Sequence, residues 1–267
     1  MEFAIPFLKW AGGKRWFVNQ HLDGIPAYKG RYFEPFLGSG AVFFGVRPSR
    51  AILADLNPDL IATFSAIKQN WRGVEALLRK YHQLHSKPFY YMMRKSRPRS
   101  PIVRAARFIY LNRTCWNGLY RVNVSGQFNV PIGTKESVVL ETDDFDQVSR
   151  LLKHASLVVS DFKRVIRRAR KGDFIFADPP YVTSHSNNGF LKYNENLFGW
   201  DDQVRLRDCL LQAKKNGAHV LSTNADTPPI RKLYKKDFTI RSVTRPSVIA
   251  AGSDKRGMVR ELIITSW

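Results

Sequence analysis

The sequence is poor in cysteine, in acid and in long apolar runs. Its two cysteines, Cys115 and Cys209, stand in no CxxC pair, so no disulfide framework is suggested and a reducing cytosol is the expected setting. No stretch approaches the roughly 18 apolar residues of a membrane-spanning helix. The opening MEFAIPFLKW has an acid at Glu2 and no basic segment, so it does not read as a signal peptide. The six histidines are scattered; His82 and His85 have no cysteine or carboxylate near them at ligand spacing, and no metal site is expected. Acid is the most telling shortage: 22 Asp and Glu face 43 Lys and Arg, a formal net charge of +21. Such an excess favours a polyanionic partner, most simply nucleic acid, with an anionic membrane surface as the competitor.

The shortage has a place. From Ala76 to Lys135 there is no Asp or Glu, yet the span holds twelve Lys and Arg, interleaved with aromatics such as Tyr90, Trp116 and Tyr120. A solvated basic face usually mixes signs, so this span reads as a phosphate-facing surface. A second basic run, KRVIRRARK, covers 163–171.

Apolar runs of strand length lie at 32–36, 51–55, 156–161, 173–178, 218–224, 238–244 and 261–267, most of them separated by stretches of helical spacing. This alternation predicts an α/β fold with a mostly parallel sheet, and PDLIATFSAIKQ, opened by Pro58, predicts a helix over 58–69. The last two strands, joined by a Pro- and Gly-containing stretch without helical spacing, are expected to pair antiparallel. Residues 63–145 break the rhythm. They carry amphipathic helices at 74–85 and 100–113 and an alternating stretch, LYRVNVSGQFNVP, around Ser125-Gly126 that predicts a β-hairpin. The expected organisation is a core of 1–62 and 146–267 with an inserted module at 63–145.

Three motifs carry chemistry. EPFLGSGAVFF sets Gly38 and Gly40 between a strand and a helix, where tight turns also use glycine. The pattern departs from GxGxxG, having Phe43 at the third glycine position, so no pyrophosphate is implied. Asp55 ends the second strand, where an acid can bind ribose hydroxyls. A nucleoside cofactor without a pyrophosphate fits, and S-adenosylmethionine meets that description. FLKWAGGKRW reads either as a capping turn or as a cofactor loop in which Trp10 gives apolar contact and Lys14 meets a carboxylate. FADPPYVT ends a strand at Pro179-Pro180, which lack the N–H groups a ladder needs. The rigid turn also sets the Asp178 carboxylate beside a backbone carbonyl. Two acceptors that grip the protons of an exocyclic amino group stabilise the positive charge that develops on its nitrogen. Tyr181 offers a face on which an extruded base can stack. Neither cysteine has the Pro-Cys context of cytosine C5 chemistry.

Taken in order, FLKWAGGKRW, FEPFLGSG, ADLNPDLI, NRTCWNGLYRVNVSGQFNVP and FADPPY closely resemble the DNA adenine-N6 methyltransferases of the Dam/DpnM type (the D12 class) across nearly the whole chain. The resemblance implies a Rossmann-like class I methyltransferase core with a reversed C-terminal strand, the insert serving as target-recognition domain. Its cofactor would be S-adenosyl-L-methionine, released as S-adenosyl-L-homocysteine, with no metal. Trp10, Ala11, Gly12, Lys14, Glu34, Pro35, Phe36, Gly38, Ser39, Gly40, Asp55, Asp161, Phe162 and Asp178 match cofactor positions. Asp178, Pro179, Pro180 and Tyr181 match the catalytic motif. Lys9, Arg94, Arg113, Trp116, Asn117, Leu119, Arg121, Asn123 and Pro131 fall on DNA-contacting positions. Trp116 stands where an aromatic enters the duplex, and Asn117 where a residue fills the space of the flipped base. Residues 245–261 keep the basic, Gly-containing character of a DNA-facing loop but depart in detail. The implied partner is double-stranded DNA at GATC or a longer GAT-containing site. The implied state is a monomer, with a dimer on DNA as the alternative, in the cytoplasm of a bacterial or archaeal cell or a virus-infected one. RNA adenine and protein glutamine amino-methyltransferases resemble the core, but usually carry Asn in place of Asp178 and lack the hairpin block. A non-catalytic DNA-binding module is disfavoured by the intact DPPY.

Overall fold

The computed structural model describes residues 4–123, 125–181, 198–246 and 258–267. The chain forms two compact units. The first comprises Met1–Val18, Gly38–Arg47 and Asn57–Val159, the second Asn19–Leu37, Pro48–Leu56 and Ser160–Trp267.

Seven strands form among the described residues: β1 Tyr32–Glu34, β2 Ala51–Asp55, β3 Ala155–Val159, β4 Phe174–Ala177, β5 His219–Ala225, β6 Thr239–Pro246 and β7 Met258–Thr265. Their order is β3-β2-β1-β4-β5-β7-β6. β2, β1, β4 and β5 run parallel, while β7 is antiparallel to both β5 and β6. The expected mostly parallel sheet with a reversed C-terminal strand is therefore present, and each strand falls on the apolar run that predicted it. β1 and β4 are buried at every position, as befits strands covered on both faces.

Within the second unit, the strand order turns around between β1 and β4: chain succession leads from β1 to β2 on one side and resumes with β4 on the other. Parallel sheets bind ligands outside the carboxyl ends of the strands at such a reversal. The EPF and DPPY motifs follow β1 and β4 directly. Helices α7 (Phe162–Ile166), α8 (Trp200–Lys215) and α9 (Pro228–Tyr234) belong to the same unit.

The first unit is mainly helical. It holds the short α2 (Ala41–Val46), α3 (Pro58–Gln83), α4 (Lys87–Lys95), α5 (Pro101–Thr114) and α6 (Phe145–Leu152); α1 (Arg15–His21) straddles the boundary. Asn57 caps α3, accepting from the Asp59 and Leu60 N–H groups at 3.0 and 3.1 Å, and Pro58 takes the first position, where its missing N–H costs nothing. The two helices expected at 58–69 and 74–85 are one element, kinked where Asn70 leaves helical geometry (φ −151°, ψ 66°) and its side chain accepts from Gly73 N–H at 3.0 Å. α3 packs along α5. The expected hairpin is looser than a ladder: its arms meet at isolated bridges, Val122 with Phe128 and Cys115 with Ile132.

Candidate active site

β4 delivers its last buried residue, Ala177, and then turns. Asp178 is half-buried at the strand end, and its Oδ1 accepts from the Thr223 hydroxyl at 2.7 Å. Thr223 lies buried on the neighbouring β5. Ser222 of the same strand donates to the Ala177 carbonyl at 2.9 Å. The Pro180 carbonyl accepts from the Gln203 amide of α8 at 3.2 Å, and Asn224 of β5 donates to that Gln203 at 2.9 Å. The turn, having no N–H at Pro179 or Pro180, is thus held from outside by β5 and α8.

Tyr181 is tied at its far end. Its hydroxyl donates to Glu261 Oε2 at 2.8 Å; Glu261 lies on β7, is 2% exposed and is ion-paired with Arg245 of β6. Removal from water and the carboxylates of Asp178 and Glu261 hold the Tyr181 phenol well above its ordinary pKa, so it stays neutral. The ring is therefore fixed at both ends, by the proline turn and by its hydroxyl.

At the end of β1, Glu34 is buried and accepts from the Tyr32 hydroxyl at 2.7 Å. Phe36 stacks on Phe162 (5.4 Å, 28°), and Phe198 meets both rings edge-on or tilted. Asp161 caps α7 by accepting from Lys163 N–H at 2.9 Å, while its other oxygen takes Arg205 at 2.7 Å. The same Arg205 lies 4.7 Å over the Phe162 ring. The Asp55 carbonyl accepts from Ser160 N–H at 3.2 Å, so Asp55, Phe36, Asp161 and Phe162 are brought together at one end of the sheet in the second unit.

The glycine loop belongs to the first unit. Gly38 (φ 49°) and Gly40 (φ 70°) occupy the left-handed region, where a side chain is strained. A Cβ on Gly38 would also lie 2.8 Å from Cδ1 of the Trp10 indole, so the bare backbone is what lets Trp10 sit there. Trp10 stacks at 5.7 Å on Tyr120. Gly13 N–H closes a turn onto the Trp10 carbonyl at 3.1 Å with Ala11 exposed at its tip, and buried Lys14 donates to the Gly12 carbonyl at 2.7 Å. Ser39 is buried beside this loop.

Taken unit by unit, the groups present are of a kind that suits S-adenosylmethionine: the second unit offers an aromatic slot with a carboxylate and an acid at a strand end, and the first offers a lysine on a loop of bare glycines. Among the described residues no group of His, Cys, Asp and Glu could hold a metal, and no helix is long and apolar enough to cross a membrane.

The DNA-contacting candidates lie in the first unit and divide into two kinds. Trp116 (47% exposed) and Asn117 are exposed, Asn117 with φ 53°, and Trp116 N–H donates to the Pro131 carbonyl at 3.0 Å. Half-buried Leu119 and Arg121 follow; Arg121 Nε donates to Asn129 at 2.9 Å, its one side-chain hydrogen bond among the described residues. Lys9 is clasped through its backbone by Asn112 (2.9 and 2.8 Å), and burial beside Lys135 lowers its ammonium pKa to about 8. Others are occupied with structure. Arg94 donates to the Val130 carbonyl at 3.2 Å, and the Asn123 side chain closes the hairpin turn by accepting from Ser125 and Gln127 N–H at 3.1 and 2.9 Å. Arg113 is a correction. It is 2% exposed, and all its donors are spent: on Asp143 in a two-pronged pair (2.6 and 2.6 Å), on the Phe7 carbonyl and on the Val138 carbonyl. It braces the fold and has no donor left for a phosphate. Of the loop at 245–261, residues 247–257 lie outside the described residues.

The sequence reading missed Thr223, Gln203, Glu261 and Arg245. A signal for Glu261 exists, a lone carboxylate inside the apolar run of β7; Thr223 and Gln203 carry none, since their partners are far away in the chain.

The family model of the D12 class N6 adenine-specific DNA methyltransferases matches residues 10–249. A type II methyltransferase of Lactococcus lactis subsp. cremoris is 35% identical, covering 98% of this chain and 95% of its own length. A DNA adenine methylase of Haemophilus influenzae is 34% identical, covering 97% and 92%. A solved structure described as a putative RNA methyltransferase from Pyrococcus horikoshii covers 99% of this chain and 90% of its own at 11% identity, with a TM-score of 0.41 that is too low to add to the fold assignment.

Proposed function

The chain belongs to the D12 class N6 adenine-specific DNA methyltransferases, and from that premise we propose that it methylates N6 of adenine in duplex DNA at GATC, on a base flipped out of the helix, by direct in-line transfer. The observation that carries the reading is the tethered DPPY turn, with Asp178 bonded to Thr223 and Tyr181 bonded to Glu261 at the carboxyl end of β4. S-adenosylmethionine, when bound, supplies the methyl group as a sulfonium. Asp161 and Phe162, with Phe36, would hold its adenine, Asp55 its ribose, and Lys14 with the Gly38–Gly40 loop its amino-acid part; Trp10, Ala11, Gly12, Glu34 and Pro35 shape the surroundings.

The rest is done by the chain's own groups. The Asp178 carboxylate and the Pro179 carbonyl accept the two N6 protons, which directs the nitrogen lone pair outward. As positive charge grows on N6, both acceptors interact with it more strongly than in the ground state, which is what lowers the barrier. Tyr181 stacks against the adenine, and because its hydroxyl is committed to Glu261 the ring is already in place when the base arrives. No covalent link to the chain is needed: the N6–carbon bond forms as the sulfonium's carbon–sulfur bond breaks to leave the thioether, and one N6 proton then leaves along its hydrogen bond to the Asp178 carboxylate and on to water.

Residues 63–145 act as the target-recognition domain. Trp116 wedges into the duplex and Asn117 fills the space of the missing base. Arg121 makes a two-pronged contact with guanine O6 and N7, Leu119 packs on a thymine methyl, and Lys9 touches a base. The test is transfer of a labelled methyl group to duplex DNA, with RNA and protein as controls. Label in DNA and in neither control supports the reading. Label in RNA or protein instead moves the chain to another substrate class, and label in DNA that is insensitive to changing the GATC site removes the proposed specificity.

A further inference from the structure

In a parallel sheet the segments that lead into the strands gather on one edge, opposite the segments that leave them. Asp178 and Tyr181 leave β4. The segments leading into β1, β2, β4 and β5 are 29–31, 48–50, 167–173 and 214–218, and together they hold nine Lys and Arg and one acid, Asp173. The lead into β6, whose Thr239 pairs with the same Thr265 as Leu221 of β5, adds Lys235 and Lys236 with Asp237. All of these belong to the second unit.

The segments are laced into one ledge. Tyr32 N–H donates to the Arg50 carbonyl at 2.9 Å, Gly30 N–H to Gly172 at 2.8 Å, and Gly172 N–H to Gly217 at 3.0 Å. Asp173 does little to neutralise it. It is 4% exposed, and its oxygens accept from Arg31 and Arg170 N–H (2.7 and 2.8 Å) and from the Arg31 guanidinium (3.2 Å). Asp237 lies 3.7 Å from Arg207. Lys29, Arg50, Lys171, Lys215 and Lys236 are all exposed. An ordinary solvated surface intersperses both signs; here eleven Lys and Arg stand with two acids, of which Asp173 is buried and Asp237 half-exposed.

Its dimensions suit a duplex. From β2 to β6 the sheet has five strand spacings of about 4.8 Å, a row of roughly 24 Å. That follows a duplex for roughly seven base pairs at about 3.4 Å each. From Asp173 to Asp178 the extended backbone runs about 16 Å, and the two edges face opposite ways. Within the second unit the ledge therefore lies at the strand ends opposite Asp178.

We propose that this ledge is a second DNA-binding surface, which holds another duplex segment by its phosphates, without reading bases, and lets the enzyme pass from one segment to another without first dissociating. The proposal rests on the reading of DNA as the substrate.

The test compares the wild type with a variant carrying Lys29→Gln, Arg50→Gln, Lys171→Gln and Lys215→Gln, four exposed side chains without a carboxylate partner among the described residues. Enzyme bound to a labelled GATC duplex is mixed with rising concentrations of unlabelled duplex lacking the site, and the departure rate is followed, alongside single-turnover methylation of a short one-site duplex. The expected result is a wild-type rate that climbs with competitor and a variant rate at least fivefold less sensitive to it, with short-duplex methylation changed less than twofold. A wild-type rate independent of competitor, a variant that behaves like the wild type, or an equal loss of short-duplex methylation each overturns the proposal. So does binding to phosphatidylserine vesicles that the variant loses while its transfer between duplexes is intact, since the ledge would then face lipid. Failure of the functional reading is separate: the wild type would put no methyl group into DNA, whatever the departure rates show.

Discussion

The DPPY turn and the segment 119–131 are both turns with an aromatic and a charged residue, yet they are built in opposite ways. In the first, a side chain from β5, one from β7 and one from α8 grip Asp178, Tyr181 and the Pro180 carbonyl. In the second, two isolated bridges and a few backbone bonds hold the arms together, and Arg121 has one side-chain partner, Asn129. The difference matches the tasks. A group that stabilises a transition state must be in place beforehand, because reorganising it during reaction forfeits its effect. A group that reads base edges exchanges its bonds to water or to a neighbour for bonds to the duplex, so adjustability costs it little.

If that contrast is right, the largest loss comes from the turn. Asp178→Ala is expected to lower single-turnover methyl transfer by about two to three orders of magnitude, with folding and most DNA binding kept; stopped time courses on a GATC duplex measure it. Activity near that of the wild type would break the comparison at its stronger side.

Arg121→Ala is expected to act on one base pair. Discrimination at the fourth position of GATC should fall by about 1–3 kcal/mol, while Arg97→Ala, if Arg97 meets phosphate, weakens all substrates alike. Rates on GATC and its single-base variants separate the two. An equal drop on every substrate would reassign Arg121 to the backbone.

Glu261→Gln tests the tether. Tyr181 keeps a weaker acceptor and Arg245 loses its ion partner, so methyl transfer should fall about tenfold, the worth of one hydrogen bond of about 1–1.5 kcal/mol. Tyr181→Phe should match it and add nothing when combined with it. Additive losses would mean Glu261 serves something other than Tyr181.

The smallest effect concerns Lys9: burial and the nearby Lys135 push its ammonium down to a pKa of about 8. DNA affinity should decline about two- to threefold as pH rises from 7 to 9 and the ammonium is lost, the order of one weakened phosphate-strength contact, and Lys9→Gln should flatten the profile. Stability does not decline with it. The folded pKa lies below the ordinary lysine value of 10.5, so the unfolded chain binds more protons between these values and Lys9 makes stability rise with pH in that window.

The same contrast governs what could be read in the sequence. β1, β2, β4 and β5 were legible because buried parallel strands are continuous apolar runs, and the motifs after β1, β2 and β4 were legible because their prolines, glycines and acids break those runs. The tethers were not. Thr223 and Glu261 meet Asp178 and Tyr181 from strands 45 and 80 residues further on, a distance over which spacing carries no information. Arg113 misled for a related reason: within a span devoid of acid its charge pointed outward, whereas its partner Asp143 lies beyond the span's end and draws it inside. The kink at Asn70 was read as a gap between two helices, since an interruption of periodicity looks the same in either case.

The most direct test is to digest a GATC duplex to nucleosides after incubation with S-adenosylmethionine and to quantify the methylated bases by mass spectrometry, for the wild type and for Asp178→Ala. The account predicts N6-methyldeoxyadenosine as the product of the wild type, confined to the GATC adenine, and about a hundredfold or more less of it from the variant. Methyl on cytosine, or undiminished N6-methyldeoxyadenosine from Asp178→Ala, would contradict it.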